Sequence, residues 1–185
     1  DSGPKHVVEE LAERVRALAV SQGREVHLIL ENEANGARFL ERTAQGQPRW
    51  FTAQWNDDIH HCWHVLLTGE SEAYYQDFSD RPVERLVRCL SEGFGYQGDP
   101  SAHAGGKLRG EPSGHLPPSA FVAFLQNHDQ IGNRAFGDRL SALADPDRLA
   151  LARAGLLLSP QIPMLFMGEE WSASAPFQFF VDFSP

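Results

Sequence analysis

Short, wholly apolar runs alternate along this chain with stretches of helical periodicity, and polar or acidic residues close the runs. The first helix shows in Val7, Val8, Leu11, Val15 and Leu18, which recur at three- and four-residue steps among Glu9, Glu10, Glu13, Arg14 and Arg16. Pro4 suits its first turn and Gly23 its end. Val26-His27-Leu28-Ile29-Leu30 follows and leads into Glu31-Asn32-Glu33. An unbroken apolar run of that length is expected of a strand covered on both faces, as in a parallel sheet.

The unit recurs. A very short strand is expected near 53–55, with a helix after Trp55-Asn56-Asp57-Asp58. Pro82 opens another helix, with Val83, Leu86, Val87 and Leu90 on one face. A stretch rich in Gly, Pro and Ser fills 95–119, too long for a bare connection and so expected to form a functional loop. Phe121-Val122-Ala123-Phe124-Leu125 reads as a strand ending in Gln126-Asn127-His128-Asp129. A helix over 145–158 follows, with Asp145 as cap and Pro146 in its first turn. Ile162-Pro163-Met164-Leu165-Phe166-Met167 is the last apolar run and ends in Gly168-Glu169-Glu170-Trp171.

Strands alternating with helices imply right-handed crossovers and a parallel α/β sheet. Four strands make either a small open sheet or half of a (β/α)8 barrel. Barrel enzymes place their chemistry at the carboxyl ends of the strands. Carboxylates follow three of these runs, at Glu31, Asp129 and Glu169/Glu170, which favours the half barrel.

Composition narrows the chemistry. Hydrophobic residues at 42% and charged residues at 22% describe a folded domain, and 185 residues suffice for one sizeable core. A net charge of −9 opposes binding to nucleic acid or to anionic membranes, both of which require concentrated Lys and Arg. A neutral sugar meets no such penalty. Cys62 and Cys89 lack metal-site spacing and read as two reduced, buried thiols of a cytoplasmic protein. No apolar run approaches the roughly 20 residues of a membrane span, and no signal peptide opens the chain. A start without Met is expected of a fragment or a processed product. No Gly-rich phosphate loop follows any strand, which argues against nucleotide and redox cofactors.

Two carboxyl groups flanking a glycosidic bond are the working parts of a glycosidase, held about 5–5.5 Å apart in retaining enzymes. Glu31 and Asp129 are the candidates. Each also has a plain reading, Glu31 as a solvated loop residue and Asp129 as a turn or cap residue. His128 alone reads equally as a structural histidine. His60 and His61 are adjacent on a helix and point apart, so they do not form a metal pair and no metal is expected.

The run Gln126-Asn127-His128-Asp129-Gln130-Ile131-Gly132-Asn133-Arg134 resembles the seventh-strand motif of the α-amylase superfamily. With Gly137-Asp138-Arg139-Leu140 it is similar to malto-oligosyltrehalose trehalohydrolases in particular. The segment from Pro163 through Glu170 resembles their eighth strand. Trp55-Asn56-Asp57-Asp58-Ile59-His60-His61, with Leu67-Thr68-Gly69-Glu70 and Tyr74-Tyr75, resembles their sixth. The likeness implies strands 5–8 of a (β/α)8 barrel over 1–185, with the N-terminal barrel half and a C-terminal β-domain absent.

Residue by residue, the resemblance implies Glu31 as general acid/base and Asp129 as the carboxylate stabilising the transition state. It implies substrate contacts from His128, Asn127, Asp58, His60, His61 and Arg134. The family's run after the acid/base departs here, because Glu33 stands third. The superfamily's nucleophilic Asp belongs at the end of the fourth strand, ahead of the first helix, and Asp1 lacks that context. The implied reaction is retaining cleavage of the α-1,4 bond beside the terminal trehalose of malto-oligosyltrehalose, without a cofactor and with this chain inactive alone. A glycogen-branching enzyme, a maltogenic amylase and a non-catalytic carbohydrate-binding module are the alternatives.

Overall fold

The computed structural model describes residues 6–179. Helix α1 spans Val7–Ser21, capped by the His6 side chain, and Gly23 at φ +62° turns the chain away from it. Pro4, expected in the first turn, lies outside the described residues. Strand β1 (Ile29–Leu30) follows, then a 3₁₀ turn over Ala37–Leu40 and strand β2 (Ala53–Trp55). Helix α2 (Asp57–Thr68) ends at Gly69, whose φ of +75° suits a glycine stop. A 3₁₀ turn over Ala73–Tyr75, the short helix α3 (Gln76–Ser79) and helix α4 (Pro82–Glu92) complete this crossover.

The long segment after α4 carries an antiparallel ribbon, β3 (Asp99–Pro100) with β4 (Leu108–Arg109), so it is neither bare nor structureless. Strand β5 (Phe121–Ala123) then leads to α5 (His128–Gly132), α6 (Leu140–Leu143) and α7 (Pro146–Leu158), before strand β6 (Ile162–Pro163). Asp145 caps α7 as expected, its carboxylate accepting from the backbone N–H groups of Asp147 and Arg148.

Strands β1, β2, β5 and β6 lie side by side in sequence order and all pair parallel. Ile29 is in register with Ala53, Gln54 with Phe121, and Val122 with Ile162. The mixed α/β architecture with a parallel sheet is therefore present. Two expectations need correction. No α-helix intervenes between β1 and β2, where the 3₁₀ turn and a bridge from Arg42 to Pro48 make the crossing. The outer strands are also shorter and barer than the apolar runs suggested: Ile29 and Ile162 are exposed, while β5 is buried throughout. A strand with a neighbour on one side only loses both its cover and half its ladder.

One core lies where α2, α4 and α7 pack together against Ala123 and Leu125. It holds Ile59, Cys62, Phe78, Leu86, Cys89 and Leu156. A second joins Ala12 of α1 to Phe39, Leu40, Phe51, Phe94 and Phe121. At Gly93, with φ +96°, an added Cβ would come 2.2 Å from the Phe121 ring, so this helix end accepts only glycine. Both cysteines are buried and free. Burial, then the neighbouring Cys62 thiol, pushes the Cys89 thiol well up. Among the described residues, no helix is long and apolar enough to cross a membrane.

Candidate functional site

The four strands run the same way, so their carboxyl ends share one edge, and the acidic residues gather there. A cavity of about 730 Å3 opens at this edge, lined by Glu31, Asp57, His61, Tyr74, Arg109 and Asp129 among others. Glu31 directly follows β1, Asp57 begins α2 just after β2, and Asp129 sits in the first turn of α5. Two carboxylates 98 positions apart in sequence, Glu31 and Asp129, thus border one space.

Local chemistry fixes Asp129. Asn127 caps α5, and its side-chain oxygen accepts from the N–H of Asp129 at 2.9 Å and of Gln130 at 3.3 Å. The Asn133 side-chain amide donates to Asp129 Oδ1 at 2.8 Å. Asn127 is only 1% exposed; its oxygen positions Asp129, while its Nδ2 has no hydrogen-bond partner among the described residues. His128 lies edge-on to Trp55 with ring centroids 5.8 Å apart and does not line the cavity.

The residues after β2 sort differently from the expectation. Asp58 was expected at the substrate rim, yet it is fully buried. Its Oδ2 accepts from the Asn35 side-chain amide at 2.8 Å and from the N–H groups of Gly95 and Tyr96 at 2.9 and 3.0 Å. Its Oδ1 accepts from Arg109 at 2.7 Å. Asp58 therefore ties the β1 loop, the start of the long segment and the ribbon together beneath the cavity. Gly110, at φ +83°, lets the ribbon lie against the Tyr96 carbonyl, which an added Cβ would meet at 1.8 Å.

Asp57, one residue earlier, faces the cavity, and no hydrogen bond to its carboxylate is found among the described residues. Burial, then the charge of Asp58, lifts its pKa to about 7, with smaller contributions from Glu31 and Asp129 and opposition from Arg109. The sequence reading passed over Asp57 in favour of its neighbour. One signal was available: Asp57 shares a helical face with His61, whereas Asp58 shares one with Cys62 and Val65.

The histidines of α2 also divide. His60 is 1% exposed, with Nδ1 2.6 Å from the Leu125 carbonyl oxygen and Nε2 3.1 Å from the Tyr75 hydroxyl. Both nitrogens are committed to the protein, so its expected role toward substrate does not fit. Burial, then His64, lowers its pKa to about 3. His61 lines the cavity between the rings of Tyr74 and Phe78, and burial drives its pKa well down.

Arg134, expected to contact substrate, instead grips Glu70 through two hydrogen bonds, both 2.9 Å long. That pairing, then the bond from His64, draws the Glu70 carboxyl down to about 2 despite its partial burial. Through Arg134 the segment behind α5 is fastened to the end of α2. Glu169 also leaves the site: it is 2% exposed and accepts from the Phe166 N–H at 3.0 Å, closing the turn after β6.

Parallel strands whose carboxyl ends gather acidic side chains around one open cavity are the layout used by barrel glycoside hydrolases. Comparison with known proteins points the same way. The chain is 44% identical, over 97% of its length, to the malto-oligosyltrehalose trehalohydrolase of Arthrobacter ramosus. It is 41% identical over 97% to that of Mycobacterium tuberculosis, and 38% identical over its whole length to that of Saccharolobus solfataricus. The chain spans about 31% of the length of each. No protein-family profile matches.

Among solved structures, a putative alpha amylase from Salmonella typhimurium aligns over all of the chain and 31% of its own, with a TM-score of 0.95 and 50% identity. A maltogenic α-amylase from Thermotoga neapolitana shares the fold at 15% identity and a TM-score of 0.52. The resemblance drawn from the motifs thus extends along the whole chain.

Proposed function

We propose that this chain is the strand 5–8 part of a (β/α)8 barrel in a retaining glycoside hydrolase that releases trehalose from malto-oligosyltrehalose. The observation that carries the reading is the meeting of Glu31 and Asp129 on one cavity at the carboxyl edge of a parallel sheet. The similarity to trehalohydrolases over 97% of the chain supplies the substrate.

In this mechanism Glu31 protonates the oxygen of the leaving trehalose as the glycosidic bond breaks. Asp129, held in place by Asn127 and Asn133, stabilises positive charge at the anomeric carbon. A carboxylate outside these residues takes the anomeric carbon, and Glu31 then removes a proton from the water that releases the malto-oligosaccharide. The 185 residues alone therefore lack the nucleophile and are expected to be inactive. We place the protein in the cytoplasm on the strength of its two free thiols.

The test is product analysis with maltotriosyltrehalose and the full-length enzyme. Trehalose plus maltotriose is expected, and Glu31→Gln should abolish turnover while substrate still binds. The likeness to an alpha amylase structure favours a second reading, a general α-glucan hydrolase. Glucose or maltose without free trehalose would select it.

A further inference from the structure

We propose that Gln54, with Arg109, is a positioning residue for the general acid/base: the two side chains grip the loop that carries Glu31 by its backbone and so set where the Glu31 carboxyl meets the glycosidic oxygen. This rests on the reading of Glu31 as acid/base and extends it to the ribbon and to Gln54, which does not line the cavity.

Pairing between β1 and β2 stops at Leu30, which is in register with Gln54. Two residues on, the Asn56 N–H turns to the Val122 carbonyl of β5 at 2.9 Å. The chain beyond Glu31 thus leaves the sheet without a main-chain rung from β2, and the Gln54 side chain takes the place of one. Its amide donates to the Asn32 carbonyl at 2.8 Å and to the Asn35 side-chain oxygen at 3.3 Å. Gln54 is fully buried, so these bonds form where little water competes. The far end of the loop is fastened from the ribbon and the residues after it. Arg109 Nε donates to the Glu33 carbonyl at 2.9 Å, and the Glu111 N–H to the Asn35 carbonyl at 3.1 Å. Asn35, left-handed at φ +51°, reaches Asp58 through its amide at 2.8 Å.

The two carboxylates are therefore held in different ways. Asn133 bonds Asp129 at its own Oδ1. Around Glu31 the bonds fall on the following main chain and on Asn35, while Glu31 itself is exposed. That division suits the two roles. A charge stabiliser needs one fixed place, whereas an acid/base serves first the leaving oxygen and then the incoming water. A free carboxyl is aimed only as well as its Cα is placed, and a misplacement of about 1 Å costs on the order of a hundredfold in rate.

The experiment uses the full-length enzyme and compares Gln54→Met and Glu31→Gln with the wild type on maltotriosyltrehalose and α-maltosyl fluoride. Methionine keeps most of the volume of Gln54 and removes its donor. Trehalose leaves with a proton from Glu31, whereas fluoride departs without one. Gln54→Met is expected to lower kcat/KM for maltotriosyltrehalose by about 10–100-fold, mainly through kcat, while kcat/KM for fluoride release stays within about twofold of the wild type. Glu31→Gln should show the same selectivity more strongly. Equal losses on both substrates in a folded Gln54→Met, or no loss, would overturn the proposal, because a merely structural role does not distinguish leaving groups. If that variant does not fold, Arg109→Lys decides. Its ammonium keeps the pair with Asp58 but cannot also reach the Glu33 carbonyl, so a loss confined to maltotriosyltrehalose supports the gripped loop and an equal or absent loss refutes it. A Glu31→Gln variant that loses both substrates equally would instead overturn the acid/base reading, and this inference with it.

Discussion

The floor beneath the cavity and the wall above it are built from the same turn of α2, yet they treat their aspartates in opposite ways. In the floor, Asp58 receives four hydrogen bonds, one of them from a guanidinium, and is closed off from water. In the wall, Asp57 gains none from the described residues, and burial, then the neighbouring charge of Asp58, raises its pKa. A saturated carboxylate holds structure together, because every lone pair already has a use. A carboxylate that no protein donor reaches keeps its lone pairs open to the cavity. One residue of helical rotation separates the two outcomes.

Four substitutions test this contrast, the largest effect first. On the cavity side, Asp129→Asn in the full-length enzyme should lower kcat by about three orders of magnitude while leaving the melting temperature nearly unchanged. A comparable loss of thermal stability would move Asp129 into the structural class. In the floor, Asp58→Ala should do the reverse. It strands Arg109 and three further donors in a buried junction, and is expected to cost about 3–5 kcal/mol in chemical denaturation. Arg109→Met is milder, since Asp58 keeps three donors; roughly 2 kcal/mol is expected, together with loosening of the ribbon in hydrogen exchange. A loss equal to that of Asp58→Ala would mean that the ion pair alone carries the junction.

The smallest effect is the most diagnostic. The folded state lifts the Asp57 carboxyl from 3.8 to about 7, so it holds a proton that the unfolded chain has already lost. Stability is therefore expected to fall as pH rises from about 4 to 7, and the ionised form stays disfavoured above that. Asp57→Asn cannot ionise. Its melting temperature should match the wild type near pH 4 and exceed it by a few degrees at pH 8. A difference independent of pH would show that Asp57 is solvated like any surface carboxylate.

Much of the architecture was legible in the order of residues. The apolar periodicity located α1 and α4 but not their core faces, since Val7, Leu11, Val83 and Val87 are exposed while Ala12, Ala19, Leu86 and Cys89 are buried; the Asp145-Pro146 pair placed the start of α7, and the apolar runs located β1, β5 and β6. The motif around Asp129 carried the resemblance to trehalohydrolases and named a carboxylate that borders the cavity with Glu31. Strand lengths and burial were less legible, since a run such as 26–30 states apolarity but not how many neighbours will cover it.

The assignment of individual polar residues was least legible. Asn127, Asp58, His60 and Arg134 were all read as facing the sugar, and each is instead engaged by another part of the protein: a helix end, a loop junction, a tyrosine and carbonyl, and Glu70. The cap at Asn127 is local, but the partners of Asp58, His60 and Arg134 lie up to 65 positions away, and nothing in the neighbouring sequence names them.

By itself the sequence determined an α/β chain with parallel strands, its punctuation, and the identity of the acids that follow the strands, because periodicity, caps and motifs act over a few residues. Only the tertiary structure decided which of those acids share a cavity and which are neutralised inside the protein. That outcome depends on donors delivered by distant segments and on the water that packing removes, and both are properties of the assembled fold.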